Sequence, residues 1–149
     1  MKKPRVVITG GTGLLAVNWA CAVREKWDVI LGTHQHSVNL KGVTSCRLNL
    51  EDPEQLEQQL NQLAPDLLVH AAGLTNVNYC EEFPKLAQHA NSEIARNVAQ
   101  VSVLKKVKLI HISTDHLFTG SRSFYNEKAP PQPINEYARS KYCAEKWVQ

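Results

Sequence analysis

The chain has 149 residues, of which 43% are hydrophobic and 21% are charged, and these are the proportions of a globular domain with a substantial core. A mean hydropathy of -0.32, without any apolar run of the length that a bilayer requires, excludes a membrane-spanning segment. The net charge is +3 and the basic residues are scattered, so we expect no nucleic-acid partner and no membrane partner. The opening apolar run Val6–Ile8 is too short for the core of a signal peptide and leads into a glycine turn, so we expect a cytoplasmic location.

Apolar runs alternate with amphipathic stretches along the chain, which is typical of β–α units around a parallel sheet. Short runs rich in Val, Ile or Leu predict strands that are covered on both faces, at Arg5–Thr9, Asp28–Gly32, Thr44–Leu48, Asp66–Ala71 and Lys108–Ser113. Helical patterns cover residues 13–26, 53–63, 84–104 and 135–149, with Pro53 and Pro84 at helix starts and Asn135 as a cap. The sequence therefore predicts an α/β fold with a Rossmann-like, doubly wound parallel sheet.

A glycine-rich run, Thr9–Ala16, follows the first predicted strand and opens the first helix with the pattern TGxxGxxA. Gly10 allows a tight turn, Gly13 lets the backbone approach a pyrophosphate, and Ala16 keeps the helix close to the strand. The N-terminus of the helix offers N–H groups and a positive dipole end to phosphates. The order of strand, turn and helix predicts a dinucleotide site, and a glycine-rich connection without a ligand is the alternative.

The end of the second predicted strand bears on the choice of dinucleotide. NAD-dependent enzymes usually carry an acidic residue there, which binds the ribose 2′-hydroxyl. The segment Leu31–His36 has no carboxylate, so a 2′-phosphate becomes tolerable and could contact Thr33, His34 or Lys41. We therefore expect NADP(H) in preference to NAD(H), although the usual arginine is also missing. An exposed polar loop is an equally good interpretation of His34 and His36.

Cysteine and histidine spacing gives no metal motif. Cys21, Cys46, Cys80 and Cys143 lie far apart without a CxxC pair, which predicts free buried thiols in a reducing compartment. His34 and His36 alone do not complete a tetrahedral site, so we expect no metal.

Residues with hydroxyl, phenol and ammonium side chains lie at the end of the fifth predicted strand and after it. Ser113 and Thr114 end the fifth predicted strand, at the edge where open α/β sheets bind ligands. Tyr137 and Lys141 lie four residues apart and therefore on one face of the last helix. A phenol exchanges protons poorly near neutral pH unless a positive charge stabilises its anion. We expect Thr114 to orient a carbonyl, Tyr137 to protonate it and Lys141 to supply the charge.

A second pair with the same spacing, Tyr142 and Lys146, lies on the same predicted helix. An offset of five residues turns it well away from Tyr137, so both pairs cannot serve one site. We favour Tyr137 because it lies nearer the start of the helix, and we interpret Tyr142 and Lys146 as a packed or solvated pair.

The motifs together resemble the extended short-chain dehydrogenase/reductase family and, within it, the dTDP-4-dehydrorhamnose reductase branch, over nearly the whole chain. The resemblance rests on the glycine turn and on the segments His70–Gly73, Leu74–Glu81, Ser113–Gly120 and Pro133–Lys141. Asn49, His116 and Thr119 depart from it, since the branch commonly has Asp, Tyr and Asp there.

The resemblance implies residue roles. The catalytic group falls on Thr114, Tyr137 and Lys141, of which Tyr137 and Lys141 would also contact the cofactor. The other cofactor positions that it implies are Gly10, Thr12, Gly13, Leu14, Leu50, Ala71, Ala72, Thr75 and Ser113. It further implies an NADP-dependent reductase of a 4-keto group on a nucleotide-linked deoxysugar.

Two other functions remain open. The branch is similar to the β subunit of methionine adenosyltransferase, a regulatory protein that docks to a partner enzyme. Sugar-nucleotide epimerases and dehydratases share the Tyr and Lys, but they generally hold NAD and would be expected to carry the acidic residue that is missing after Leu31. A homodimer or a complex with a partner enzyme is compatible with either function.

The end of the sequence predicts an unfinished domain. The last helical pattern runs to Gln149 without a glycine cap or a following strand, and five strands would leave an unpaired sheet edge. We expect residues 1–149 to be a partial NAD(P)-binding domain of a longer protein, whose C-terminal substrate-binding part is absent.

Overall fold

A computed structural model describes residues 2–149. The strands are β1 (Arg5–Thr9), β2 (Asp28–Thr33), β3 (Thr44–Arg47), β4 (Leu67–His70) and β5 (Lys108–His111). The helices are α1 (Leu14–Val23), α2 (Pro53–Leu63), α3 (Val77–Glu82), α4 (Pro84–Gln88), α5 (Ile94–Lys105) and α6 (Glu136–Val148). A π-helical turn, His89–Glu93, joins α4 to α5, and a 3₁₀ turn, Asp115–Leu117, follows β5.

The chain divides into two compact units. Unit 1 comprises the chain up to Ala72 together with Asn97–Ile112, and it contains the whole sheet. Unit 2 comprises Gly73–Arg96 and Ser113–Gln149, and it contains α3, α4, the π turn and α6. Among the described helices, none is both long enough and apolar enough to cross a membrane.

The sheet of unit 1 is parallel throughout, with the strand order β3-β2-β1-β4-β5. The central strand β1 pairs with β2 on one side and with β4 on the other. This is the order of a doubly wound Rossmann-like sheet, so the predicted fold class is confirmed. Strand order reverses between β1 and β4, and such a reversal opens a crevice at the carboxyl ends of the two strands.

One part of the core of unit 1 lies between α1 and one face of the sheet. Val6, Ile8, Leu31 and Val69 are buried there with Ala16 of α1. Small residues on α1 let the helix approach β1 closely. Burial of each large apolar side chain contributes about 1.5–3 kcal/mol to the free energy of unfolding. Side chains alternate along each strand, so Val7 and Leu68 belong to the opposite face, and both are fully buried.

Helix α2 occupies the predicted residues 53–63 because its ends are well defined. The Asp52 carboxylate accepts hydrogen bonds from the N–H groups of Glu54 and Gln55, and Pro53 occupies the first turn. Ala64 ends the helix in the left-handed conformation, with φ of 46°.

Several predicted boundaries are wrong. The predicted helix 13–26 is shorter, because the chain has left the helix before Lys26, whose N–H bonds to the carbonyl of Val23. The predicted strand Asp66–Ala71 ends at His70, because the next amides, those of Ala71 and Ala72, bond to the Thr9 hydroxyl. Strands predicted to reach Leu48 and Ser113 end at Arg47 and His111, and β2 extends one residue past Gly32.

Unit 2 differs more from the sequence prediction. Helix α3 was not predicted, and the helix predicted for residues 84–104 is interrupted by the π turn. Helix α6 agrees with prediction, and the Asn135 side chain caps it by accepting from the N–H of Ala138. Within residues 2–149 the four cysteines form no disulfide, but only Cys80 is buried, so the prediction of buried thiols is wrong for Cys21, which is exposed.

Candidate functional site

The glycine turn after β1 has a backbone that only glycine fits at its first position. Gly10 has φ of 68°, in the left-handed region. A Cβ at Gly10 would lie 2.8 Å from the backbone N of Ala72 and 2.9 Å from the carbonyl O of Ala71. The turn therefore lies directly against the end of β4, at the crevice where the strand order reverses.

The second glycine of the turn is also required by close packing. A Cβ at Gly11 would lie 2.8 Å from Cβ of Leu31, and the Gly11 N–H donates to the carbonyl of Gly32 at 2.9 Å. Gly11 has no role in the pattern TGxxGxxA, although its place between the two glycine positions of that pattern is a usable signal. Gly13 is exposed, and among residues 2–149 other than its chain neighbours the Gly10 carbonyl oxygen is the one atom within 4 Å of the position that a Cβ would take, at 3.1 Å.

The first turn of α1 presents backbone N–H groups at this crevice. Gly13 is the N-cap and offers no side chain to cap the helix. The hydrogen bonds of the helix begin with the one that the Val17 N–H donates to the Gly13 carbonyl. The amides of Leu14, Leu15 and Ala16 have no intrahelical acceptor, whereas the Gly13 N–H donates to the Gly10 carbonyl at 2.8 Å. Thr12 and Leu14 are exposed beside them. A helix start of this kind binds phosphate groups through its amides and its dipole.

The end of β2 and the segment that follows it contain the residues that are predicted to contact a 2′-phosphate. Thr33 is buried, and its hydroxyl donates to the carbonyl of Cys46 at 3.2 Å. His34 and Lys41 are exposed. Leu50 is half-buried, and its carbonyl accepts from the Asn97 side chain at 3.1 Å. The Thr33 hydroxyl is thus already engaged within unit 1, whereas His34 is accessible.

In unit 2, Ser113 and Thr114 follow β5 along the chain. The Thr114 hydroxyl accepts from the N–H of His116 at 3.2 Å and so caps the 3₁₀ turn. It lies 3.4 Å from the Asp115 carboxylate. The Ser113 hydroxyl is buried and has no hydrogen-bond partner among residues 2–149. A buried hydroxyl in this state is available to a ligand group.

Two side-chain oxygens fix the start of α6 by accepting hydrogen bonds from its backbone N–H groups. Asn135 caps the N–H of Ala138, and the Glu81 carboxylate of α3 accepts from the N–H of Glu136 at 2.6 Å. Tyr137, the next residue, is half-buried, and its ring meets the His116 ring edge-on with 5.6 Å between centroids. His116 therefore contacts both Thr114 and Tyr137, which brings the predicted hydroxyl and phenol into one neighbourhood of unit 2.

Lys141 lies one helical turn after Tyr137 and is buried. Burial lowers the pKa of Lys141 to about 8, while the Glu145 carboxylate opposes part of that change. An ammonium with this pKa is mainly protonated at neutral pH. The lysine can therefore supply the positive charge that the predicted chemistry needs.

The side chains of the second pair, Tyr142 and Lys146, contact each other. The Lys146 ammonium lies 4.5 Å from the centroid of the Tyr142 ring, which is a cation–π contact. This agrees with its interpretation as a packed pair.

A cluster of side chains that the sequence motifs do not predict lies in the loop before α6. The Tyr125 hydroxyl is 3.1 Å from that of Thr119 and 3.4 Å from that of Ser121. Hydrogen bonds from Ser121, and then from Thr119, lower the pKa of Tyr125 to about 8. The cluster borders a cavity of about 570 Å³ that His116, Arg122 and Asn135 also line. Spacing alone does not reveal such a cluster, because the loop has no regular period.

The chain matches a family model described as the RmlD substrate binding domain over residues 4–149. It belongs to that family. The predicted relationship to dTDP-4-dehydrorhamnose reductases is confirmed, because solved structures with that name are similar to this chain.

Three proteins that are similar to this chain have different names. A dTDP-4-dehydrorhamnose reductase from Bacillus anthracis, in complex with NADP, is 33% identical with a TM-score of 0.84, and the match covers 99% of this chain and 50% of that one. The probable low-salt glycan biosynthesis reductase Agl14 of Haloferax volcanii is 30% identical over 143 residues, covering 95% of this chain and 48% of its own length. Methionine adenosyltransferase 2 subunit beta of Rattus norvegicus is 30% identical over 149 residues, covering 97% and 42%. The chain therefore spans about half the length of the relatives it matches.

Proposed function

We propose that the protein is an NADP-dependent reductase of a 4-keto group on a nucleotide-linked deoxysugar, and that this chain is its cofactor-binding and catalytic portion. The observation that carries the proposal is the glycine turn in the crevice between β1 and β4, where Gly10 fits against the end of β4 with no room for a side chain. The family relationship supports the reductase class.

The residues of unit 1 fit the diphosphate of a dinucleotide. Gly13 leaves the approach to the first turn of α1 open, and the amides there have no intrahelical acceptor. Thr12, Gly13 and Leu14 would bind the phosphates, and Ala71 and Ala72 would line the crevice. In unit 2, the unpartnered Ser113 hydroxyl and Thr75 are the proposed further contacts.

Tyr137 is the proton donor in this proposal. When bound, a reduced nicotinamide dinucleotide supplies the hydride for such a reduction. The Thr114 hydroxyl orients the substrate carbonyl, and the Tyr137 hydroxyl transfers its proton to the carbonyl oxygen as that oxygen gains charge. Lys141 stabilises the phenolate that Tyr137 leaves behind. The product is the alcohol, and solvent returns the proton to Tyr137.

The preference for NADP rests on the segment after β2. This segment exposes His34 and carries no carboxylate that would repel a 2′-phosphate. The Thr33 hydroxyl is engaged by Cys46, so we assign the phosphate contact to His34 and Lys41, with Thr33 shaping the strand end. The relative from Bacillus anthracis, which is in complex with NADP, is consistent with this choice.

The direct test is turnover of a dTDP-4-keto-6-deoxysugar, followed through the absorbance of NADPH and, in parallel, of NADH. We expect the protein to oxidise NADPH only when the keto sugar is present, and NADH to be the poorer reductant. Equal rates with both dinucleotides would contradict the cofactor preference. Absence of turnover, together with absence of binding of either dinucleotide, would contradict the proposed function.

A second candidate is a non-catalytic subunit of a partner enzyme. The observation in its favour is the 30% identity with methionine adenosyltransferase 2 subunit beta. Dinucleotide binding is compatible with both candidates, so turnover separates them. A protein that binds NADPH but does not reduce keto sugars, and that co-purifies in fixed proportion with a methionine adenosyltransferase, would support this second candidate.

A further inference from the structure

His70, the last residue of β4, contacts the side chain that precedes the glycine turn. Its Nδ1 lies 2.8 Å from the hydroxyl oxygen of Thr9, and the two residues are buried in the sheet. The same hydroxyl oxygen accepts from the N–H of Ala71 at 3.2 Å and from the N–H of Ala72 at 3.2 Å. None of the proposed catalytic steps uses His70.

The three contacts of the Thr9 hydroxyl determine where its proton lies. A hydroxyl has one proton to donate and two lone pairs that accept. The Ala71 and Ala72 amides are donors only, so they take both lone pairs. The hydroxyl proton must then point to Nδ1 of His70, which acts as the acceptor. A neutral imidazole that accepts at Nδ1 carries its own proton at Nε2.

This chain of hydrogen bonds ends at the atoms against which the glycine turn packs. The Ala72 N and the Ala71 O are the atoms that a Cβ at Gly10 would approach most closely. The Thr9 hydroxyl therefore fixes the peptide that forms the wall behind Gly10. His70 fixes the rotation of that hydroxyl, and the His111 ring of β5 stacks on His70 with 5.4 Å between centroids.

We propose that His70 is a positioning residue for the dinucleotide site, acting as a neutral imidazole whose Nδ1 accepts from Thr9. The claim that it shapes a dinucleotide site rests on the proposed function, whereas the hydrogen-bond arrangement does not. Loss of the acceptor leaves a buried hydroxyl proton unsatisfied, so Thr9 rotates away from the Ala71 and Ala72 amides. The wall behind Gly10 then loosens, and phosphate binding at the turn weakens.

Two substitutions at one position separate the acceptor from the volume of the side chain. In His70→Asn, the amide oxygen can occupy the place of Nδ1 and accept from Thr9. In His70→Leu, the side chain fills similar space but offers no acceptor. A matched pair at the donor is Thr9→Ser, which keeps the hydroxyl, and Thr9→Val, which removes it.

The first readout needs no cofactor. In ¹⁵N spectra of the wild-type protein, we expect the His70 ring to carry its proton at Nε2 and to show an unprotonated, hydrogen-bonded Nδ1. We also expect hydrogen exchange at the Ala71 and Ala72 amides to be about tenfold faster in His70→Leu, which corresponds to one lost hydrogen bond, and nearly unchanged in His70→Asn. A proton at Nδ1 in the wild-type protein would overturn the proposal even if the Leu variant failed to fold.

The second readout is the dissociation constant of NADPH. We expect it to rise about tenfold in His70→Leu and Thr9→Val, and to stay within about threefold of wild type in His70→Asn and Thr9→Ser. Equal affinity in the wild-type and Leu proteins would overturn the positioning role while leaving the proposed function intact. If the wild-type protein bound neither dinucleotide, the proposed function would fail and the claim that His70 shapes a dinucleotide site would fail with it.

Discussion

The Asn91 side chain of the π turn donates to the Ser140 hydroxyl of α6 at 3.0 Å. Its amide group also donates to the carbonyl of Leu74 at 3.0 Å and accepts from the N–H of Leu74 at 2.7 Å. Both N–H donors and the carbonyl oxygen of this buried amide are thus engaged, and the three bonds join the loop after β4 to the helix that carries Tyr137. Within unit 2, Asn91 holds α6 in place.

Substitution of Asn91 should therefore destabilise the protein more than substitution of its helix partner. In Asn91→Ala, the N–H and C=O of Leu74 lose their partner, so we expect a loss of about 3 kcal/mol in the free energy of unfolding. Ser140→Ala should cost only about 1 kcal/mol, because the backbone bonds of Leu74 survive. Urea denaturation of both variants and of the double variant measures these values. Equal losses in the two single variants would show that Asn91 acts through Ser140 alone.

Gly10, in the glycine turn, and Gly120, in the loop before α6, provide a matched comparison because both have a positive φ. Gly10→Ala combines a φ of 68° with a Cβ less than 3 Å from the end of β4, so we expect a loss of about 2–4 kcal/mol in stability and of dinucleotide binding. Gly120→Ala has a similar φ of 73°, but no described atom lies within 4 Å of the added Cβ. It should cost about 1 kcal/mol and leave dinucleotide binding unchanged. Thermal unfolding and NADPH titration of both variants test this, and a similar loss of binding in both would contradict it.

Removal of the Tyr137 hydroxyl should abolish most of the proposed turnover. In Tyr137→Phe, the ring can still meet His116, but no proton reaches the carbonyl oxygen, so we expect at least about a 10²-fold fall in kcat. Tyr142→Phe is the control, since that ring contacts Lys146 and has no proposed role. Steady-state kinetics at saturating NADPH measure both. Wild-type kcat in the Tyr137 variant would reject its role as proton donor.

The buried Lys141 predicts a particular dependence of stability on pH. Its pKa falls from 10.5 in the unfolded chain to about 8 in the folded protein because of burial. Below pH 8 both states are protonated, and the folded state bears the full cost of a buried charge. Between pH 8 and 10.5 the folded state releases its proton first, so this residue's contribution to the free energy of unfolding rises, by up to about 3 kcal/mol.

Lys141→Met provides the reference for this effect, because other groups titrate in the same range. The free energy of unfolding of the wild-type protein, measured relative to that of the Met protein, should rise as pH increases from 8 to 10.5. Urea denaturation at several pH values measures the difference. A difference that stays constant across this range would show that the pKa of Lys141 is not lowered by folding.

Local signals in the sequence were sufficient for much of unit 1. The apolar run Arg5–Thr9 and the helix start at Pro53 correctly predict β1 and α2, because their boundaries are set by neighbouring residues. The glycine run likewise predicts the turn, since the required backbone is local. The alternation of strands and helices correctly predicts a doubly wound parallel sheet, although it does not determine which strands are neighbours.

Features that depend on distant residues were not predictable in this way. The π turn accommodates Asn91, whose partners Leu74 and Ser140 are 17 and 49 residues away, and a helical period does not register them. Helix α3 is too short to show a period, although its cap Asn76 is a signal that could have been used. His70 reads as one more residue of a buried strand, because its partner Thr9 is 61 residues away.

Dinucleotide binding at the glycine turn can be measured by titrating the protein with NADPH and following the ¹H–¹⁵N signals of its backbone amides. We expect saturable shifts concentrated at Thr12, Gly13 and Leu14, tighter binding of NADPH than of NADH, and no such shifts in Gly10→Ala. Saturable binding that leaves these three amides unmoved, or no binding of either dinucleotide, would contradict the proposed dinucleotide site.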